Sequence, residues 1–328
     1  MRPESGRKEA PPLHPAEEAW RRVRARAGEI ERVDALQRSR KASVYRLVGL
    51  GAPPVIAKRY VDRGAMFERM IYEDVLCPAG ISRLGFYGAL ADDGEGGSWS
   101  FTEDAGGVPF SLDDEEHRRE VASWLGELHG GAVALVASKP PGNQWGMHEE
   151  RLAFTGTALA RARTEGTLSR EGELGYAVRV LDSVRSVSEI IERVLSAGPA
   201  TLVHGDFGPK NVRLRSEGSG RRVVAYDWEM AVVGRPAVDL WWLGREPDSN
   251  ALEVYRASGE AFWRKVPLDQ LLSYARVGFA LRLVDSIYWS LWNLQWQIDA
   301  VVHWSRDLEE TVGAIRSRTP FVWSRGGA

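Results

Sequence analysis

Three oxygen-bearing side chains within one short stretch are the first candidates for chemistry. Asp206, Asn211 and Asp227 all fall in residues 201–228, TLVHGDFGPKNVRLRSEGSGRRVVAYDW. Two carboxylates and a carboxamide form a donor set for magnesium, a hard cation that takes oxygen ligands and keeps several waters. A carboxylate beside such a site can also receive the proton of an attacking hydroxyl. The elements that must position these groups are readable around them. A short apolar strand precedes the loop, Val212, Leu214, Val223 and Ala225 alternate as strand residues do, and Glu217-Gly218-Ser219-Gly220 reverses the chain. A hairpin centred on Ser219 sets Asn211 directly across from Asp227. A slip of one residue in that register would spoil the placement.

The interval from Asp206 to Asn211 is five residues. That is the spacing of the protein-kinase loop H-R-D-x-x-x-x-N, whose Asp accepts the proton of the attacking hydroxyl and whose Asn holds magnesium. His204-Gly205-Asp206 with Asn211, then Asp227-Trp228-Glu229, Gly234-Arg235-Pro236 and Asp239-Leu240, closely resemble the aminoglycoside phosphotransferase-like family of small-molecule kinases. The resemblance covers most of residues 43–243, with firm motifs in the catalytic third. It implies an α+β, bilobal protein-kinase-like fold: a small N-terminal lobe with a five-stranded antiparallel sheet and a mostly helical C-terminal lobe. The corresponding division is a flexible tail at 1–14, a nucleotide-binding lobe at 15–106 and a catalytic and substrate-binding lobe at 107–328. It further implies ATP, with GTP as the alternative, and Mg2+ as cofactors. Asp206 is then the base, Asn211 and Asp227 are the metal ligands, and His204 and Asp239 support the loop.

Upstream, residues 54–58 read as a third strand carrying Lys58 at the lysine position of the kinase V-A-I-K pattern. An ammonium on an apolar strand needs a partner. Residues 67–76 form a helix by apolar spacing and offer two glutamates, Glu68 and Glu73, which face different ways. The family pattern favours Glu68. Residues 30–36 and 43–50 read as the first two strands, and the turn between them contains Lys41 and leads to Ser43, a donor for phosphate. The last two strands of this lobe are residues 84–90 and 98–102. Strand end runs into glycines at Phe101-Thr102-Glu103-Asp104-Ala105-Gly106-Gly107, where the resemblance places adenine on backbone groups around Thr102 and Asp104.

Downstream, Asp239 caps a helix or holds the catalytic loop. Near the C-terminus, Arg282, Asp285, Trp289, Trp292, Trp296 and Asp299 recur at three- and four-residue steps. On one helix that spacing places all six along one face, either a core stripe or a pocket wall that stacks a ring. Asp285, Trp289 and Trp292, with Glu229 of the Asp-Trp-Glu motif, are the candidate acceptor contacts.

Composition bounds the partners. With 43 basic and 45 acidic residues, net charge −2, nothing in the overall balance points to nucleic acid. A single cysteine, Cys77, excludes an internal disulfide and suits a reducing cytosol. The six histidines include no zinc-type cluster. The polar N-terminus has no secretory signal, and charges interrupt the most apolar segment, 277–304, so a cytoplasmic protein off the membrane, monomer or homodimer, is expected. The expected activity is phosphorylation of a small-molecule hydroxyl, first of an aminoglycoside or other antibiotic in resistance or self-protection. A metabolic alcohol kinase of the choline, homoserine or fructosamine type is the alternative. A nucleotide-binding protein without turnover is the third reading, against which the full set Asp206, Asn211, Asp227 and Lys58 speaks. Residues 245–328 are balanced in charge and rich in tryptophan, which suits a ring-bearing acceptor of low charge.

Overall fold

The computed structural model describes residues 13–24, 28–49, 53–139, 141–166, 170–218, 220–244, 249–259 and 263–318, and the side chains of these except at 293–296. Most of the tail expected at 1–14, and Ser219 at the hairpin turn, lie outside the described residues. The chain divides into two compact units, Met1–Asp74 with Arg83–Gly106 and Val75–Ser82 with Gly107–Ala328.

The first unit is built on five antiparallel strands in the order β1-β2-β3-β5-β4. These are β1 (Ile30–Arg38), β2 (Ala42–Gly49), β3 (Val55–Tyr60), β4 (Phe86–Leu90) and β5 (Ser98–Glu103), preceded by helix α1 (Pro15–Val23). Proline at the start of α1 costs no hydrogen bond, and Glu17 and Glu18 suit its positive end. Its buried face, Ala16, Ala19 and Trp20, packs with Leu47, Ala57, Trp99 and Phe101 into one core cluster. Lys58 lies next to Ala57 on β3 and pairs across the sheet with Val44 and Ser100. Alternation therefore turns it to the other face from that core. Helix α2 (Gly64–Met70) contributes its buried Glu68 and continues as a π-helical turn at Ile71–Leu76.

The second unit is largely helical, with α3 (Glu115–Val136), α4 (Gln144–Thr164), α5 (Glu171–Arg185), α6 (Ser188–Ser196), α7 (Ser249–Ser258), α8 (Leu268–Ser290) and α9 (Leu294–Arg318). Two small sheets accompany them. One joins β6 (Val108–Pro109), β8 (Val212–Glu217) and β9 (Gly220–Ala225), and the other pairs β7 (Thr201–Val203) with β10 (Val232–Gly234). Helix α8 buries residues on every side, including Leu271, Tyr274, Val277, Leu281, Val284 and Ile287, which marks it as the central helix of this unit. At Gly278 it crosses so close to the short helix Pro236–Asp239 that an added Cβ would fall on the Ala237 carbonyl. No helix among the described residues is long and apolar enough to cross a membrane.

Two sequence expectations are corrected here. The hairpin pairs Val212 with Ala225 and Glu217 with Gly220, so its register places Asn211 opposite Tyr226, and the Tyr226 amide donates to the Asn211 carbonyl. Asp227 is one residue further on. The turn is one residue tighter than a centre on Ser219 requires. The single C-terminal face is also absent: α8 ends at Ser290, a 3-10 turn spans Leu291–Asn293, and α9 begins at Leu294. A tighter turn with three residues per revolution shifts the phase, so the spacing of 282–299 does not describe one stripe.

Gly278→Ala is expected to lower unfolding free energy by about 1–3 kcal/mol, because a backbone carbonyl cannot move aside as a side chain would. Gly313→Ala on α9, where an added Cβ meets nothing, is expected to be neutral or to stabilise by up to about 1 kcal/mol. Urea midpoints of the two variants measure the contrast.

Candidate active site

The loop after β7 is held by one carboxylate that water does not reach. Asp239 is fully buried. Its Oδ2 accepts from the His204 amide at 2.6 Å, and its Oδ1 accepts from the Gly205 amide at 3.0 Å. His129 Nε2 approaches Oδ2 at 3.3 Å, while His129 Nδ1 lies 3.0 Å from the Tyr255 hydroxyl. A carboxylate only accepts, so Nε2 carries the proton and Nδ1 accepts from Tyr255. Burial raises the Tyr255 hydroxyl well above its ordinary pKa, which keeps it a donor. Gly205 has φ +80°, and a Cβ there would strike the Met230 carbonyl, so this bend needs glycine. His204 is itself buried, donating from Nε2 to the Tyr226 carbonyl at 3.0 Å and stacking on Trp228 at 4.5 Å.

This framework delivers Asp206 and Asn211 to each other. Asn211 Nδ2 donates to the Asp206 carbonyl at 2.9 Å and to Asp206 Oδ2 at 3.1 Å. Both bonds use the nitrogen, which leaves Asn211 Oδ1 with no hydrogen bond among the described residues. That oxygen is a hard donor of the kind magnesium takes. Lys210 Nζ pairs with Asp206 Oδ2, and Arg282 Nη1 pairs with Oδ1 at 3.1 Å. Asp227 adopts φ 68°, ψ 59°, the only non-glycine with positive φ among the described residues. Asp227 follows β9 by two residues, and its left-handed dihedrals mean that it does not continue that strand's alternation. Such outliers cost free energy and concentrate at functional sites. Among the described residues there is no cluster of three or more His, Cys, Asp or Glu for a metal. The donor set offered is a sparse one of amide and carboxylate, which fits magnesium only if phosphate oxygens and water complete the shell.

In the first unit, Lys58 Nζ lies 3.9 Å from Glu68 Oε1 and 4.5 Å above the Tyr60 ring. Glu68 is buried, and its Oε2 accepts from Ser100 at 2.7 Å. Glu73, the competing glutamate, instead pairs with Arg69 one helical turn away at 2.8 Å. Ser43 pairs with Arg38 and Arg59 across the sheet. Thr102 is paired with Ile56 and Phe86. The Asp104 amide donates to the Pro54 carbonyl at 3.3 Å, and its carboxylate holds Arg46 at 2.7 Å. That amide is thus engaged rather than presented to a base.

The candidate acceptor contacts separate. Asp285 lines a small cavity of about 10 Å³ together with Asp206, Phe207, Trp241 and Arg282. It accepts from Arg151 Nη1 at 2.6 Å and faces His148 Nε2 at 3.5 Å. Burial pushes the Asp285 carboxyl upward, but His148 and Arg151 outweigh it and hold the group below the ordinary carboxylate range. Trp289 lies with Tyr288 beneath Arg151, Trp292 is 67% exposed, and Glu229 is exposed. None of these three lines the cavity at Asp206 or the groove beside it. That groove, about 1020 Å³, is walled by Trp241, Trp242, Phe279, Arg282 and Trp304, with Asp113, Arg118, His303 and Asp307. Sequence reasoning missed Trp241 and Trp304. The adjacent Trp241-Trp242 directly after Asp239-Leu240 was the available signal for the first.

Comparison with known proteins gives a consistent result. The model of the phosphotransferase enzyme family matches residues 34–268. No curated protein matches the chain in sequence. Among solved structures, an aminoglycoside phosphotransferase from Alicyclobacillus acidocaldarius is similar at TM-score 0.58 and 15% identity, covering 96% of this chain and 98% of that one. The GDP complex of a mutant aminoglycoside 2'-phosphotransferase IIIa gives TM-score 0.59 at 12% identity over 93% and 98% of the two chains. A thermostable mutant of aminoglycoside phosphotransferase APH(4)-Ia, in a ternary complex with AMP-PNP and hygromycin B, gives 0.54 at 16% over 88% and 96%. These likenesses establish a kinase-like α+β fold.

Asp239→Ala strands two buried amides and a histidine N–H, so a loss of about 3 kcal/mol or more in stability is expected, read from chemical denaturation. Asp285 gives a pH signature. Its lowered folded pKa means that its contribution is fully present above the unfolded value near 3.9 and is lost as pH falls below that toward the folded value. Asp285→Asn should therefore cost about 3 kcal/mol at pH 7 and progressively less below about pH 4. Unfolding titrations of both proteins across that range test it, and a pH-independent difference would contradict the assignment.

Proposed function

The chain belongs to the phosphotransferase enzyme family, and on that premise we propose that it transfers the terminal phosphoryl group of ATP to a hydroxyl of a small molecule. The observation that carries this reading is the Asp206–Asn211 contact of 3.1 Å on a loop whose backbone is pinned by buried Asp239. In the proposed reaction the acceptor oxygen forms a bond to the γ-phosphorus as the bond to the β,γ-bridging oxygen breaks, releasing ADP. The hydroxyl proton passes to Asp206 and leaves with solvent. Asn211 Oδ1 and Asp227 are the residues that would hold magnesium, which when bound would neutralise charge on the nucleotide phosphates. Lys58, steadied by Glu68, binds the inner phosphates, with residues 102–104 beside the base and Ser43 beside the phosphates. Lys210, 62% exposed on Asp206 Oδ2, is free to follow the transferred group. GTP is the alternative donor.

For the acceptor we propose an antibiotic-type alcohol, in line with the hygromycin B bound to one structural relative. The mixed charge and aromatic walls of the groove support a ring-bearing acceptor rather than one recognised through many ammonium groups. A metabolic alcohol is the second reading, supported by the same groove.

Purified protein with ATP, magnesium and a panel of antibiotics and metabolic alcohols is expected to add one phosphoryl group to at least one acceptor, detected by mass spectrometry. Asp206→Asn is expected to slow that reaction about 10³-fold while nucleotide still binds. Equal rates in the variant and the wild type would remove Asp206 from the role of base.

A further inference from the structure

The two oxygens of Asp206 face different company. Oδ2 receives Asn211 and Lys210, the side of the proposed metal and phosphates, and Oδ1 receives Arg282 from α8. Arg282 also lines the groove beside the loop, together with Trp241, Phe279 and Trp304. It therefore occupies the acceptor side of the carboxylate.

Only part of its guanidinium is used. Nη1 serves Asp206, while Nε and Nη2 make no hydrogen bond among the described residues, and the side chain is 34% exposed. The guanidinium is also held in place by an aromatic ring. Its Cζ lies 5.3 Å over the Trp241 ring, and Trp241 is itself fixed by donating Nε1 to the Phe207 carbonyl at 2.6 Å. A guanidinium held over an aromatic ring with Nε and Nη2 unused suits a planar or tetrahedral oxyanion, which it can bind through two parallel hydrogen bonds. The carboxylates of the groove are Asp113, just before α3, Glu115 in its first turn and Asp307 on α9, while Asp285 on α8, which shares the small cavity with Asp206 and Arg282, is paired with Arg151.

We propose that the acceptor carries an oxyanion, carboxylate or phosphate, close to the hydroxyl that is phosphorylated, and that the free edge of Arg282 receives it. This rests on the reading of Asp206 as the group that faces the acceptor hydroxyl. An ammonium at the same place on the acceptor would meet the Arg282 and Lys210 cations together, and is disfavoured. The site thereby selects hydroxy acids or phosphorylated alcohols bearing a ring over polyamines. Any cationic group of the acceptor belongs toward Asp113 and Asp307.

The test compares three probes with the same ring and hydroxyl: meta-(hydroxymethyl)benzoate, meta-(hydroxymethyl)phenyl phosphate and meta-(hydroxymethyl)benzylamine. Each is titrated calorimetrically into the full chain saturated with magnesium and ADP. At least one anion is expected to bind about 10-fold or more tightly than the amine, and the benzoate and phosphate arms separate the two oxyanions. Arg282→Gln is expected to erase the preference and Arg282→Lys to keep part of it, since a point charge lacks the fork. Equal or tighter binding of the amine overturns the proposal on the wild-type protein alone, whatever the variants do. So does a preference that survives Arg282→Gln in a folded variant, or the lack of saturable binding by either anion up to ~10 mM. Phosphorylation of an amine-bearing acceptor without anion preference would sink this inference and leave the phosphotransferase reading intact. Anion binding that Arg282→Gln abolishes, without phosphorylation of any acceptor, would leave only an oxyanion site at Arg282 and overturn both the phosphotransferase reading and the acceptor assignment that rests on it.

Discussion

A buried carboxylate with no lysine or arginine paired to it among the described residues is the constraint on which the candidate site depends. Asp239 gives up hydration entirely, at a cost that only several donors can offset. It finds them in two consecutive backbone amides and one imidazole. Directly after these two amides the chain turns sharply, at Gly205 with φ +80°. The same bend starts the loop that carries Asp206. His129, which completes the set, is held by the buried Tyr255 hydroxyl, so the support reaches from the loop into α3 and α7. A single substitution at Asp239 would therefore move a loop, three donors and a helix contact together.

The other end of the loop is held by strain that the surroundings tolerate. Asp227 is left-handed, and Trp228 after it is fully buried against His204. Burying an indole contributes on the order of 2 kcal/mol or more, enough to hold a residue in a conformation that costs 1–3 kcal/mol. The favourable burial at Trp228 and the unfavourable dihedral at Asp227 sit on adjacent residues. Packing there decides where a carboxylate goes.

Much of this was legible in the sequence because it depends on local pattern. The five strands of the first unit, Lys58 on the third and the hairpin after Asn211 follow from alternation and turn residues, which act over a few positions. The choice between Glu68 and Glu73 was not local, since it turns on which helix face meets β3 and β5. The hairpin register failed by one residue because Glu217-Gly218-Ser219-Gly220 permits more than one turn, and sequence carries no dihedral for Asp227. The tryptophan spacing near the C-terminus misled for a similar reason. A 3-10 turn at Leu291–Asn293 resets the helical phase, and nothing in Ser290-Leu291-Trp292-Asn293 announces it. The groove itself is assembled from α3, α8, α9 and the short helices after β10, segments far apart in sequence, so its walls could not be read from any one of them.

What is fixed and what can exchange partners at Asp206 differ by exposure. Bonds to Asp239 have no water to compete with them, so the loop backbone has one arrangement. Lys210 at 62% exposure and Arg282 at 34% meet Asp206 where water competes, and such pairs are worth roughly 0–1 kcal/mol. Lys210, the more exposed of the two, is loosely held and a ligand of opposite charge can draw it away at little cost, while Arg282 keeps its place over the Trp241 ring, itself fixed by its bond to the Phe207 carbonyl. The carboxylate thus has one counter-ion that exchanges readily and one that stays.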